Sequence, residues 1–172
     1  MPMDTDTAAL LARLFHSQRV AALGTVRQGA PLVSMALYLP AVDGSCLYLH
    51  VSRLAWHTQD MLMDPRVSLS IAETDDTARD PQTLARVSIR AEATPIANDA
   101  SAHAGLKTAW LARFPASAIN FELADFNFFR LDPRDARFVA GFGRIHNLSV
   151  GALATALATD PVADPVNGNN SP

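Results

Sequence analysis

Cysteine is nearly absent from this 172-residue chain, with Cys46 alone inside an apolar strand-like run. One thiol excludes an intrachain disulfide and reads as a buried packing residue, which fits a reducing cytoplasm. Clusters of positive charge are missing too. Fourteen Lys and Arg stand against seventeen Asp and Glu, for a net charge of -3, and without a basic run the chain carries no footprint for nucleic acid or an anionic membrane surface. No apolar run reaches the roughly 18 residues that a membrane helix needs, and no basic segment precedes a hydrophobic one at the N-terminus, so the expectation is a soluble chain without a leader. His16 and His103 have no partner at metal-ligand spacing, so no zinc or dinuclear site is suggested, and no internal repeat is evident. The 49% of hydrophobic residues can build one buried core, and the length is too short for two ordinary domains.

What is present reads as strands with a few helices between them. Residues 7–16 place Leu10, Leu11, Leu14 and Phe15 on one helical face, with Asp4, Thr5 and Asp6 available as caps. Strand-like runs then follow at 19–26 and 32–39, separated by Gln28-Gly29-Ala30-Pro31, and a third begins at Cys46 after the turn Val42-Asp43-Gly44-Ser45. Short connections predict that these three pair as an antiparallel meander. Val67, Leu69 and Ile71 alternate with Ser68 and Ser70, and Val87, Ile89, Ala91 and Ala93 alternate with polar residues, two half-buried strands on either side of an acidic loop at 73–83. Leu106, Trp110 and Phe114 form an aromatic stripe on a second main helix over 99–113, stopped by Pro115. Aromatic-rich strands are expected at 121–131 and 136–142, with Asp132-Pro133-Arg134 as the turn between them. The ordered domain is expected to occupy 1–150, and the Ala-rich and then Asp, Pro, Asn and Gly-rich residues 151–172 a disordered tail.

The stretch from Cys46 to Ile71 holds the densest chemistry. It reads as strand, polar turn, short helix, proline stop and strand, and it crowds Ser52, Arg53, His57 and Thr58 at the strand-to-helix junction. Free backbone N–H groups and the helix dipole favour an anion there, and a guanidinium fork suits phosphate. Helix capping by the two hydroxyls is the competing reading. His50 is read as a partly buried ring, and Trp56 as a packing or interface residue.

Three blocks in order carry a resemblance to a known family. They are Ser17-Gln18-Arg19-Val20-Ala21-Ala22-Leu23-Gly24-Thr25, Gly29-Ala30-Pro31 with Ser34-Met35, and Leu49 to Leu69 ending Asp-Pro-Arg-Val-Ser-Leu. Over residues 8–148 the chain resembles the FMN-binding split β-barrel proteins related to pyridoxamine 5'-phosphate oxidase. The segments Leu84-Ala85-Arg86-Val87, Leu111-Ala112-Arg113-Phe114-Pro115 and Ala136 to Arg144 are most similar to the subgroup of haem-utilisation and haem-degrading split barrels.

The resemblance implies a mainly β fold: a six-stranded split barrel of antiparallel, Greek-key-like strands with two main helices, paired as a homodimer with the cofactor at the subunit interface. It implies FMN with its ring lined by Ser34, Met35, Ala36 and Tyr38, its phosphate held by Ser52, Arg53, His57 and Thr58, and Arg86 as a further contact. A flavin-dependent oxidoreductase acting on a small-molecule substrate follows from that reading, with the flavin carrying the redox chemistry and no catalytic side chain required. Deazaflavin fits the same frame. The alternative is a haem-binding or haem-degrading barrel with the porphyrin between subunits and His146 as axial ligand.

Overall fold

The computed structural model describes residues 3–99 and 101–158. Alternation of apolar and polar residues produces the strands, and one connection determines how they close. The strands are β1 (Val20–Arg27), β2 (Ala30–Leu37), β3 (Leu39–Pro40), β4 (Leu47–Ser52), β5 (Arg66–Ala72), β6 (Arg86–Pro95), β7 (Phe126–Val139) and β8 (Ile145–Leu148). All pairings are antiparallel, and the sheet order is β2-β1-β5-β6-β7-β4-β3 with β8 beside β7. β2 and β3 therefore lie at opposite ends of the path although only Tyr38 separates them in sequence. One residue spans no more than a few ångströms, so the sheet has to curl until its ends meet. The result is a curled half-barrel.

Tyr38 is fully buried at this closure, and its hydroxyl lies 2.9 Å from the Phe15 carbonyl oxygen and 2.8 Å from that of Gln18. Those carbonyls end α1 (Thr5–Ser17), which starts at one of the three candidate caps: the Asp4 carboxylate accepts from the Thr7 N–H at 2.7 Å. Arg113, the last residue of α3 (His103–Arg113), donates to the carbonyls of Phe15, His16 and Gln18 at the same place. Three separate segments are thus tied at one point.

Inward-facing residues of every long strand, including Leu23, Leu49, Leu69, Ile89 and Phe138, form the main core with Leu11, Leu14 and Phe15 of α1. α2 (Trp56–Met63) packs on β1 and adds Met61. A second cluster of Trp110, Phe114 and Phe128 lies beneath α3 and the 3-10 segment Pro115–Glu122. On the opposite, outer face of β1, β2, β5 and β6, Val33 and Met35 are each 69% exposed among the described residues.

Four expectations change. The third long strand, β4, pairs with β7 instead of continuing a meander with β2, because the chain crosses at Tyr38 from one end of the sheet to the other. Asp132-Pro133-Arg134 is not a turn: β7 runs through it, with a register shift opposite Arg90 and Ala91 that accommodates Pro133. Two expected strands thereby fuse, giving six long strands plus the short β3 and β8. The second main helix begins at His103, later than expected. Finally, residues 150–158 form α4 (Val150–Ala158), whose Leu153, Ala156 and Leu157 are buried against α1 and β7, so the ordered domain passes residue 150. Gly44 makes room for it, since a Cβ there would stand 2.0 Å from the Ala154 carbonyl oxygen. The rest of the expected tail, 159–172, lies outside the described residues.

Replacing Tyr38 by Phe removes the hydroxyl while keeping the ring, and should lower stability by about 1 kcal/mol in urea denaturation. An unchanged unfolding midpoint would show that the closure does not depend on this hydroxyl.

Candidate functional site

Strand alternation first decides which of the expected site residues can act together. Successive residues of β2 point to opposite faces, so Ser34, Met35 and Ala36 cannot all line one ligand. Met35 faces outward, Ala36 is 4% exposed in the core, and Tyr38 is fully buried. The side chains of Ala36 and Tyr38, both expected beside a flavin ring, are used here in packing and closure. Ser34 is half-buried, and its hydroxyl lies 3.1 Å from Nδ1 of His57 on α2.

The seven-residue cluster at the β4–α2 junction divides in two. His57 turns toward β2, while Asp60, one helical turn on, accepts from the Thr25 hydroxyl at 2.9 Å and pairs with Arg27 at 2.9 Å. The Arg27 guanidinium lies 4.3 Å from the centre of the Trp56 ring. This network docks α2 on β1. On the other side, Arg53 and Thr58 share a cavity of about 360 Å³ with Ile96, Asn98 and Asn127. The Thr58 hydroxyl is buried without a hydrogen-bond partner among the described residues, and Arg53 donates to the Ala124 carbonyl at 3.2 Å.

Ser52 is committed elsewhere. Its hydroxyl donates to the Asp125 carboxylate and accepts from the Leu54 N–H at 3.1 Å, so it caps the turn. A carboxylate bonded to the hydroxyl opposes a phosphate at that atom. Arg86 is also remote from this junction: it begins β6, whereas Pro95, at the far end of the same strand, lines the Arg53 cavity. Nine strand steps separate them, about 30 Å. Arg86 instead donates to the carbonyls of Gln82 and Leu84 at 3.2 and 3.1 Å.

His146 lies on β8 opposite Phe138, a fully buried core residue, and its ring centre is 6.3 Å from the Phe138 ring. Residues directly opposite across a ladder share a face. His146 therefore stands on the inward side, half-buried, while its neighbours Ile145 and Asn147 are exposed.

The outer face holds the feature that the sequence reading passed over. A groove of about 560 Å³ runs over β1, β2, β5 and β6, with Gly24, Val33 and Ser68 among its lining residues, and Arg66, Arg90 and Arg134 beside it. Gly24 keeps the floor low, because a Cβ there would stand 2.5 Å from the Ser68 hydroxyl. A neighbouring hollow of about 510 Å³ shares Val33 and includes Val20, Ala22 and Met35. The three arginines are paired with Asp64, Asp135 and Glu92 respectively, and their side chains remain 75%, 77% and 61% exposed. Such exposed pairs contribute little to stability, so a ligand carboxylate can compete for the guanidinium. The available signal was the run Ala30-Pro31-Leu32-Val33-Ser34-Met35-Ala36-Leu37, apolar at positions of both parities. Among the described residues no group of three or more His, Cys, Asp or Glu is placed to hold a metal ion, and no helix is long and apolar enough to cross a membrane.

Burial holds the His57 imidazole below its ordinary value, and the Asp60 carboxylate partly opposes that shift. The neutral ring is favoured in the folded state, so its contribution to stability is present above the ordinary value near 6.5 and is lost as pH falls below it toward the lower folded value. Ring-proton NMR should show His57 titrating below about 6.5, and lower still in Asp60→Asn. Titration at or above that value would contradict the burial assigned to this ring.

Comparison with known proteins gives this geometry a family. Pyridoxamine 5'-phosphate oxidase is the family matched, over residues 8–140. The chain is 35% identical over 116 residues to the chloroplastic non-canonical heme oxygenase HOZ of Arabidopsis thaliana, a match covering 66% of this chain and 33% of that protein. It is 28% identical over 123 residues to heme oxygenase HutZ of Vibrio cholerae, covering 71% of this chain and 69% of the relative. The chain thus spans only about a third of the plant relative. A solved heme-binding protein from Mycobacterium smegmatis superposes with a TM-score of 0.77 at 26% identity, covering 90% of this chain and 62% of that one. With the family match extending through the six long strands and the same fold recurring in solved structures, the chain belongs to the pyridoxamine 5'-phosphate oxidase family of split-barrel proteins.

Proposed function

We propose that this protein binds haem, and acts in its degradation, on the outer face of the half-barrel between two copies of the chain. One observation carries the reading: an apolar strip containing Val33 and Met35, each 69% exposed, runs beside Arg66, Arg90 and Arg134. A porphyrin is a flat apolar plate with two carboxylates, and this face offers an apolar floor with guanidinium forks beside it. The relatives named as heme oxygenases support the same choice. A second copy applied to the strip would cover Val33 and Met35, which are exposed among the described residues, and would exclude water from a plate held between the two.

In this reading Val33 and Met35 hold the plate by apolar contact, and Gly24 lets it approach the backbone. Arg90 and Arg134 exchange their surface carboxylates for those of the ligand and fix its orientation. Haem bound there supplies a redox-active iron and is itself the molecule degraded. No role as iron ligand is assigned to His146, whose ring stands on the inward side of β8.

A specific observation keeps FMN as the second reading. Arg53 lines a cavity with Thr58, Asn98 and Asn127, and its guanidinium would suit a terminal phosphate, while the Thr58 hydroxyl is itself fully enclosed. Ser52, occupied by Asp125, would have to give up its bond to join Arg53.

Parallel absorption titrations with haem, FMN and deazaflavin separate the readings. Haem should give a saturable Soret change, and His146→Ala should leave the band position unaltered. Stoichiometric FMN uptake, weakened at least tenfold by Arg53→Ala, with no response to haem, would overturn the haem reading in favour of the second. A band shift in His146→Ala would contradict the inward placement of that ring.

A further inference from the structure

His50 has no part in either reading, yet its surroundings are unusual for a histidine. It is 7% exposed on β4, faces away from the main core, and sits among aromatic rings. The Phe121 ring stacks on it at 4.1 Å with a 12° interplanar angle, Phe128 lies at 4.6 Å and Phe126 at 5.4 Å. Trp110 meets it edge-on at 5.7 Å, and the indole N–H is itself held by the Ser117 hydroxyl at 2.9 Å. Nδ1 of His50 is enclosed without a hydrogen-bond partner among the described residues and is out of a ligand's reach, whereas Nε2 is not enclosed and is the ring nitrogen that can meet a molecule in the neighbouring cavity.

Beside this ring lies a cavity of about 240 Å³, bounded by His50, Asn98, His103, Phe121, Glu122 and Phe126. Its chemistry is selective. Burial, with a smaller contribution from His103, holds the His50 imidazole down to about 4, so at neutral pH the ring is uncharged and keeps a lone pair as acceptor. The aromatic walls offer flat apolar faces. The Glu122 carboxylate opposes an anion. The Lys107 ammonium already stands 5.0 Å from the Phe121 ring centre, and it opposes a second cation.

We infer that this cavity binds a small, flat, uncharged molecule carrying one O–H or N–H donor, of the phenol or azole class, which lies against Phe121 and Phe126 and donates to the His50 imidazole. The site is separate from the outer groove, which lies on β1, β2, β5 and β6 and shares none of these residues.

Phenol, toluene and benzylammonium are suitable probes, added to the full-length protein while the Trp110 indole N–H and the His50 ring nitrogens are followed by NMR. Phenol should shift both signals saturably. His50→Phe keeps an aromatic ring and removes the acceptor, so phenol affinity should fall about tenfold, the equivalent of one hydrogen bond, with toluene affinity unchanged. The His50 nitrogen shifts of the unaltered protein give the same test should that variant fold poorly. Absence of a saturable phenol shift, equal phenol affinity in His50→Phe, or tighter binding of benzylammonium than of phenol would each overturn the proposal. Haem and FMN titrations do not bear on these outcomes.

Discussion

Closure of the sheet through one residue is the constraint from which the rest follows. Because β2 ends at Leu37 and β3 begins at Leu39, the two ends of the strand path are held together, and every long strand must present one face to an enclosed core and the other outward. Tyr38 supplies the bridge, α1 and Arg113 anchor it, and the inward positions of β1, β4, β5, β6 and β7 fill the space enclosed. With the faces fixed, so is the choice of side chains that can meet a ligand. Met35 and Val33 stand outside, whereas Ala36, Tyr38 and His146 stand on the side of the core or its covering helices.

In the proposed reading, that division would let the outer face take a large flat molecule without weakening the fold. The core is complete without it, and the Arg27–Asp60–Thr25 network ties α2 to β1 independently of any ligand. The outer groove needs only small residues at its floor, which Gly24 and Ser68 supply, and arginines whose surface pairs are readily exchanged. The aromatic cluster under α3 forms a second, separate layer outside β4 and β7, and it encloses His50.

Much of this was legible in the residues, and the parts that were not share a cause. Strict alternation in Arg66–Ala72 and Arg86–Pro95 marked β5 and β6 with the correct buried faces, and the group Asp4, Thr5 and Asp6 marked the region where α1 starts. Pairing was less accessible: short connections argue for neighbouring strands, and nothing local to 37–47 shows that the chain crosses to the far end of the sheet. Pro133 read as a turn because its effect depends on a register shift in the partner strand. The cluster at 52–58 was correctly seen as polar and concentrated, but a list of residues does not give direction. Asp125 claims Ser52 from 73 residues away, and Ser34 claims His57 from 23 away. The apolar character of Val33 and Met35 was visible; that they share the exposed face required the register.

Placement of the haem plate on the outer strip, with no core-side residue holding it, is the proposal on which the functional reading rests. Its most direct test is haem titration of the Val33→Asp, Met35→Asp double variant, with circular dichroism showing that the fold persists, since both positions are exposed and contribute little to the core. This variant should lose stoichiometric haem binding and its Soret change. Retention of haem with unaltered affinity and spectrum would contradict that placement.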